Sequence, residues 1–199
     1  MKDQRIFWDW FIANEYKYRN VEVPEKERLL DEILGALHTY SPELWFETGT
    51  ADDGVQELII SAEGNPDYFS KVRTLIAAAP PVTNWRFIAF KPAMGFEFNT
   101  NYEGITFCPD STWFLPLRAD SDPTALGIRI AYSHFDESRR GDFLAGTYIM
   151  LECALGELAL AERIQQIEVT FLPSSPKTIG YYPVTDLQDY LDRRVGSDS

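Results

Sequence analysis

The sequence predicts an α+β fold, mainly an antiparallel sheet of six or seven strands with helices packed on it, and three observations predict it. Apolar residues recur at helical spacing in some segments and alternate with period two in others. Clusters of Asn, Asp, Gly and Pro separate the two kinds of segment. The order strand, strand, helix, strand also occurs twice, over about residues 43–92 and 104–173, so that two ββαβ units would build the sheet. The length of 199 residues suits one domain over residues 1–195, with residues 196–199 as a disordered tail.

The first helix is expected over Arg5 to Glu15, where Ile6, Phe7, Trp8, Trp10, Phe11 and Ile12 cover a wide arc that asks for burial on two sides. A second runs from about Glu25 to His38 on the stripe Leu29, Leu30, Ile33, Leu34 and Leu37, with Pro24 at a first-turn position. Leu44 to Thr48 and Val55 to Ala62 alternate as strands joined by the tight-turn pair Asp53-Gly54. Asn65-Pro66-Asp67 supplies the cap, the first-turn proline and the first-turn acid of a third helix, which Pro80-Pro81 stops. The apolar run from Asn84 to Phe90 reads as a buried strand.

In the second half Ile105 to Phe107 is a short strand, and Trp113 to Leu117 with Leu126 to Tyr132 form a hairpin across Asp120-Ser121-Asp122-Pro123. A long helix follows over about Ser138 to Leu155, closed by Gly156. Ile164 to Phe171 is the last strand of the repeat, and Leu187, Tyr190 and Leu191 dock a C-terminal helix.

Composition narrows the function. Thirty-one acidic against eighteen basic residues give a formal charge of −13, which repels phosphate backbones and anionic headgroups and argues against nucleic acid and membrane partners. No apolar stretch reaches the length of a membrane span, and two cysteines, Cys108 and Cys153, are too few for a disulfide framework or a zinc site. The expected location is the cytoplasm, and no metal or cofactor is expected. There is no glycine-rich phosphate loop, serine elbow, HExxH or EF-hand loop.

Residues that carry chemistry are therefore sought singly. His134, in Ser133-His134-Phe135-Asp136 at a strand-to-helix junction, is a candidate acid or base. Glu152 interrupts an otherwise apolar helix, where desolvation would suit general acid work. Glu47 is the third catalytic candidate, from a polar strand face shared with Glu57, while Arg129 and Glu168 hold the corresponding polar positions in the second unit. Polar strand faces are more often solvated faces with cross-strand ion pairs. Binding candidates are Trp8, Trp10, Asn14, Glu15, Glu57, Arg129 and Glu168, since tryptophans favour binding anchors and Asn14 falls inside an apolar arc.

The strings Phe7-Trp8-x-Trp10-Phe11-x-x-Asn14-Glu15, Ile59-Ile60-Ser61-Ala62-Glu63-Gly64, Ala79-Pro80, Ala89-Phe90-Lys91-Pro92 and Leu155-Gly156-Glu157 span most of the chain. Together they resemble an uncharacterised bacterial protein family. The resemblance implies a bacterial, cytosolic, single-domain protein and carries no activity.

Two functions of different class follow. Acidity, aromatic richness and missing catalytic signatures favour a non-enzymatic binding protein, of the inhibitor or immunity type, for a basic protein partner. A carboxylate-dependent, hydrolase-like enzyme with a cleft on the sheet is the alternative. A homodimer built through the aromatic N-terminal helix is compatible with both.

Overall fold

The structure, a computed structural model, describes residues 3–19, 25–119 and 122–197. The chain divides into two compact units, Met1–Lys91 and Pro92–Ser199.

The first unit opens with α1 (Gln4–Asn14), whose N-cap Asp3 accepts a hydrogen bond from the Arg5 amide, and a 3-10 turn (Glu15–Tyr18) leads from it toward α2 (Lys26–Tyr40). Pro24, expected in the first turn of α2, lies outside the described residues. A hairpin of β1 (Trp45–Thr50) and β2 (Gln56–Ser61) turns at Gly54, which adopts the positive φ that the Asp53-Gly54 pair called for. The Asn65 side chain then accepts from the Asp67 amide and opens the turn into α3 (Phe69–Ala77), and the unit ends with β3 (Trp85–Ala89). The sheet order is β1-β2-β3. β1 pairs antiparallel with β2 from Trp45↔Ser61 to Thr50↔Gln56, and β2 pairs parallel with β3 across the α3 crossover.

One face of this sheet is the core. Leu58 and Ile60 are buried there, α3 adds Val72 and Leu75, and α1 sets the Trp8 and Phe11 rings on Phe87 and the Phe11 ring edge-on to Trp85. Of the wide arc of α1, Phe7, Trp8 and Phe11 are buried and Trp10 is half-buried, whereas Ile6 and Ile12 are 58% and 49% exposed.

The second unit begins with a two-stranded sheet, β4 (Thr100–Tyr102) and β5 (Ile105–Phe107), turned at Glu103-Gly104, both at positive φ as a two-residue hairpin loop requires. A larger sheet of order β8-β7-β6-β9 follows. β6 (Trp113–Ala119) and β7 (Asp122–Tyr132) are antiparallel; the two residues between them, half of the expected polar turn, lie outside the described residues. The helix α4 (Arg140–Leu155) is followed, after Gly156 at φ 81°, by α5 (Glu157–Arg163), which the sequence reading did not resolve as a helix of its own. β8 (Gln166–Phe171) then returns parallel to β7. A single-turn helix α6 (Pro176–Ile179) and a two-residue strand β9 (Tyr182–Pro183) precede α7 (Leu187–Ser197), whose Leu187 and Leu191 are buried in the core with Phe107, Phe114, Ile128, Ile130, Phe143 and Met150. Residues 198 and 199 of the expected tail lie outside the described residues.

The chain is thus α+β, but among the described residues the single sheet of six or seven strands is corrected to sheets of three, two and four strands. Each ββαβ segment completes its own pairing: the third strand joins the second in parallel, at Ile59↔Ile88 in one unit and Arg129↔Glu168 in the other. β9, too short to leave a periodic signal, takes the outer edge of β6 through Trp113↔Pro183 and Phe114↔Tyr182. Aligned on Trp45↔Ser61 and Trp113↔Ala131, β1 corresponds to β6, yet no strand among the described residues lies outside β1.

Candidate functional site

Among the described residues β1 is an edge strand, and its hydrogen bonds have a definite phase. The Ala51 amide donates to the Val55 carbonyl across the turn, while the Gln56 amide donates to Asn84 and the Phe90 amide to the Ile60 carbonyl on the β3 side. Residues 56, 58 and 60 of β2 therefore bond β3, and residues 57, 59 and 61 bond Gly49, Glu47 and Trp45. The backbone groups of Phe46, Thr48 and Thr50 are left pointing out of the sheet.

Beside this open edge lies a groove of about 470 Å³ between β1 and α2, lined by Lys26, Leu30, Asp31, Leu34, Trp45, Phe46, Glu47 and Thr48. The stripe that buries Leu29, Ile33 and Leu37 leaves Leu30 and Leu34 of α2 half-buried as its floor. Trp45 is 47% exposed and meets the His38 ring edge-on at 5.8 Å, while His38 Nε2 lies 3.1 Å from the Leu44 carbonyl oxygen. Asp31 and Glu47 supply the negative charge and Lys26 the cation.

Glu47 is positioned from the strand ends. Lys91 Nζ lies 3.7 Å from Glu47 Oε1 and 2.9 Å from Glu63 Oε1, with the lysine side chain largely buried. Ser61, itself buried, accepts from the Glu63 amide at 2.9 Å. Glu63 and Phe90 both adopt left-handed backbone, at φ 51° and 67°; for a ring as bulky as Phe90 this is a strained turn, held by its amide bond to Ile60 and by the Phe69 ring at 4.9 Å. The segments Ile59–Gly64 and Ala89–Lys91 thus converge behind Glu47.

The remaining sequence candidates are distributed elsewhere. Trp8 is buried with its indole N–H donating to the Leu75 carbonyl at 2.8 Å, Trp10 is half-buried, and Asn14 Nδ2 donates to the Trp10 carbonyl at 2.8 Å. Glu15 accepts from Arg19 Nε at 2.7 Å and from the Trp85 indole at 2.9 Å. Glu57 pairs with Arg86 at 2.6 Å, and Arg129 with Glu168 at 2.8 Å, as cross-strand ion pairs on partly open sheet faces. Glu152 is half-buried on α4. His134 is exposed, with its ring against Tyr132 and Phe143. It lines a hollow of about 460 Å³ with Cys108, Asp136 and Arg139, in which Arg139 is already bonded to Asp142 and the Glu103 carbonyl. Of the catalytic candidates, only Glu47 lines the β1 groove.

Glu15 yields a pH prediction. The Arg19 hydrogen bonds, and after them the Trp85 indole, hold its carboxyl below the ordinary value of 4.5. A depressed folded-state value stabilises the protein above the unfolded value, and that contribution is lost as pH falls through the folded one. Urea midpoints measured below pH 4.5 are therefore expected to fall more steeply for the wild type than for Glu15→Gln. Parallel curves would refute this.

No family model matches the chain, no curated protein is significantly similar to it, and no solved structure matches it.

Sequence reasoning missed Lys26, Leu30, Asp31, Trp45 and Lys91 as members of one site. Trp45 lies within the strand expected over Leu44 to Thr48. That its strand is an edge depends on pairing no local pattern records.

Proposed function

We propose that this chain is a non-catalytic binding protein that engages a basic protein partner through the groove between β1 and α2, in the manner of an inhibitor or immunity-type factor. The open edge of β1 beside an exposed tryptophan carries this reading. Tryptophan supplies large contact area at low entropic cost, and unpaired strand edges are docking elements for extended segments. Asp31 and Glu47, on a chain of net charge −13, favour a cationic occupant.

Hydrolysis by paired carboxylates is the weaker alternative. Glu57 and Glu168 are tied to arginines, and Glu47 stands in a water-exposed groove with Lys91 as counter-ion.

A selection from displayed random decapeptides tests the reading. Enriched sequences are expected to be net positive and to bind Glu47→Lys and Trp45→Ala at least tenfold more weakly than wild type. Enriched peptides that bind all three proteins alike would sink it.

A further inference from the structure

The second unit holds an internal template for what fills the edge of the first. We infer that the partner's docking element is an extended strand that pairs antiparallel with β1, with cations beside Trp45 and Glu47 and an aromatic or apolar residue opposite Phe46. This rests on the groove being the binding surface.

β6, the counterpart of β1, has its outer edge filled by the chain itself. β9 pairs there antiparallel, the Val184 amide donates to the Thr112 carbonyl at 2.9 Å, and the Tyr182 ring packs against Phe114 at 5.6 Å. Just before that strand, Lys177 places its ammonium 5.9 Å from the Trp113 ring centre. The filled edge therefore satisfies three features together: outward backbone groups, a phenylalanine facing the incoming strand, and a tryptophan that takes a cation.

The first unit presents the same three features with no strand of the described residues paired to them. Phe46 and Thr48 direct their backbone groups outward, Phe46 corresponds to Phe114, and Trp45 corresponds to Trp113. A residue opposite Phe46 would direct its side chain to the helix side of the sheet, toward Leu30 and Leu34. Its neighbours would fall on the opposite face, beside Trp45 and Glu47. The period-two backbone thus converts the lining of the groove into an alternating ligand, cationic on one side and apolar on the other.

The probe is the acetylated and amidated heptapeptide Lys-Val-Lys-Tyr-Lys-Val-Lys, titrated calorimetrically into the full chain against Lys-Lys-Lys-Lys-Val-Tyr-Val, which has the same composition in grouped order. The alternating peptide is expected to bind at least tenfold more tightly. N-methylation of its backbone, one amide at a time, is expected to cost tenfold or more at every second position and little between, because only alternate amides would face β1. Equal affinity for the two peptides, or N-methyl losses without a period of two, would overturn strand addition. If Glu47→Lys still weakens both peptides in that case, the groove reading survives. If Glu47→Lys changes neither, the groove reading falls and the strand with it.

Discussion

Replacing Gly146 by alanine is expected to destabilise the second unit by about 3 kcal/mol or more, against the helix propensity that favours the change. A Cβ built at Gly146 would stand 2.1 Å from two carbons of the Phe107 ring, and that ring has no room to retreat. Phe107 is fully buried, edge-on to Tyr132 at 5.5 Å and to Phe143 at 5.9 Å. Behind it the buried Tyr132 hydroxyl lies 2.6 Å from the Thr147 hydroxyl, which donates to the Phe143 carbonyl, so the neighbours are fixed by hydrogen bonds as well as packing. The propensity gain of alanine over glycine is only about 1 kcal/mol. Gly141, on the same helix with open space around its Cβ position, is the control: alanine there is expected to raise the urea midpoint slightly. If Gly146→Ala raises it as well, the close approach of the β4–β5 hairpin to α4 is wrong.

Thr48→Pro separates folding from binding. The Thr48 amide points away from β2, so a proline there removes no ladder hydrogen bond, and proline is tolerated on the outward side of edge strands. The preceding Glu47 is already extended, as a residue before proline must be. The urea midpoint is expected to change by no more than about 1 kcal/mol in equivalent stability, while affinity for the alternating heptapeptide falls tenfold or more. Glu47→Pro, one residue earlier, removes an amide that faces β2 and is expected to cost roughly 1–3 kcal/mol through the lost ladder hydrogen bond. A Thr48→Pro protein that binds normally would show that an occupant does not use the backbone of the edge.

Local chemistry was legible and long-range pairing was not. Asp53-Gly54 and Asn65-Pro66-Asp67 stated a turn and a cap in residue types that have few other uses, and both stand where they were placed. The order of each ββαβ segment followed from period and punctuation. The division into separate sheets did not, because nothing in Trp85–Ala89 or Gln166–Phe171 records which strand lies beside it. Two further misses have the same origin: α1 has more apolar residues than one core face can cover, and Tyr182–Pro183 is too short for alternation to show. For the site, Glu47 stands out from its place on a polar strand face, but the groove beside it depends on β1 having no outer strand among the described residues.

That open edge also bears on colloidal behaviour. Strand edges left bare are sites of self-association, and here Glu47 and the surplus of negative charge provide the opposing repulsion. Repulsion of this kind weakens as ionic strength shortens its reach, from roughly 10 Å at 0.1 M to about 3 Å at 1 M salt, whereas backbone pairing is far less sensitive. Concentrated brine should therefore leave the edge free to recruit further copies of the chain, making dilute buffer the safer medium for storage.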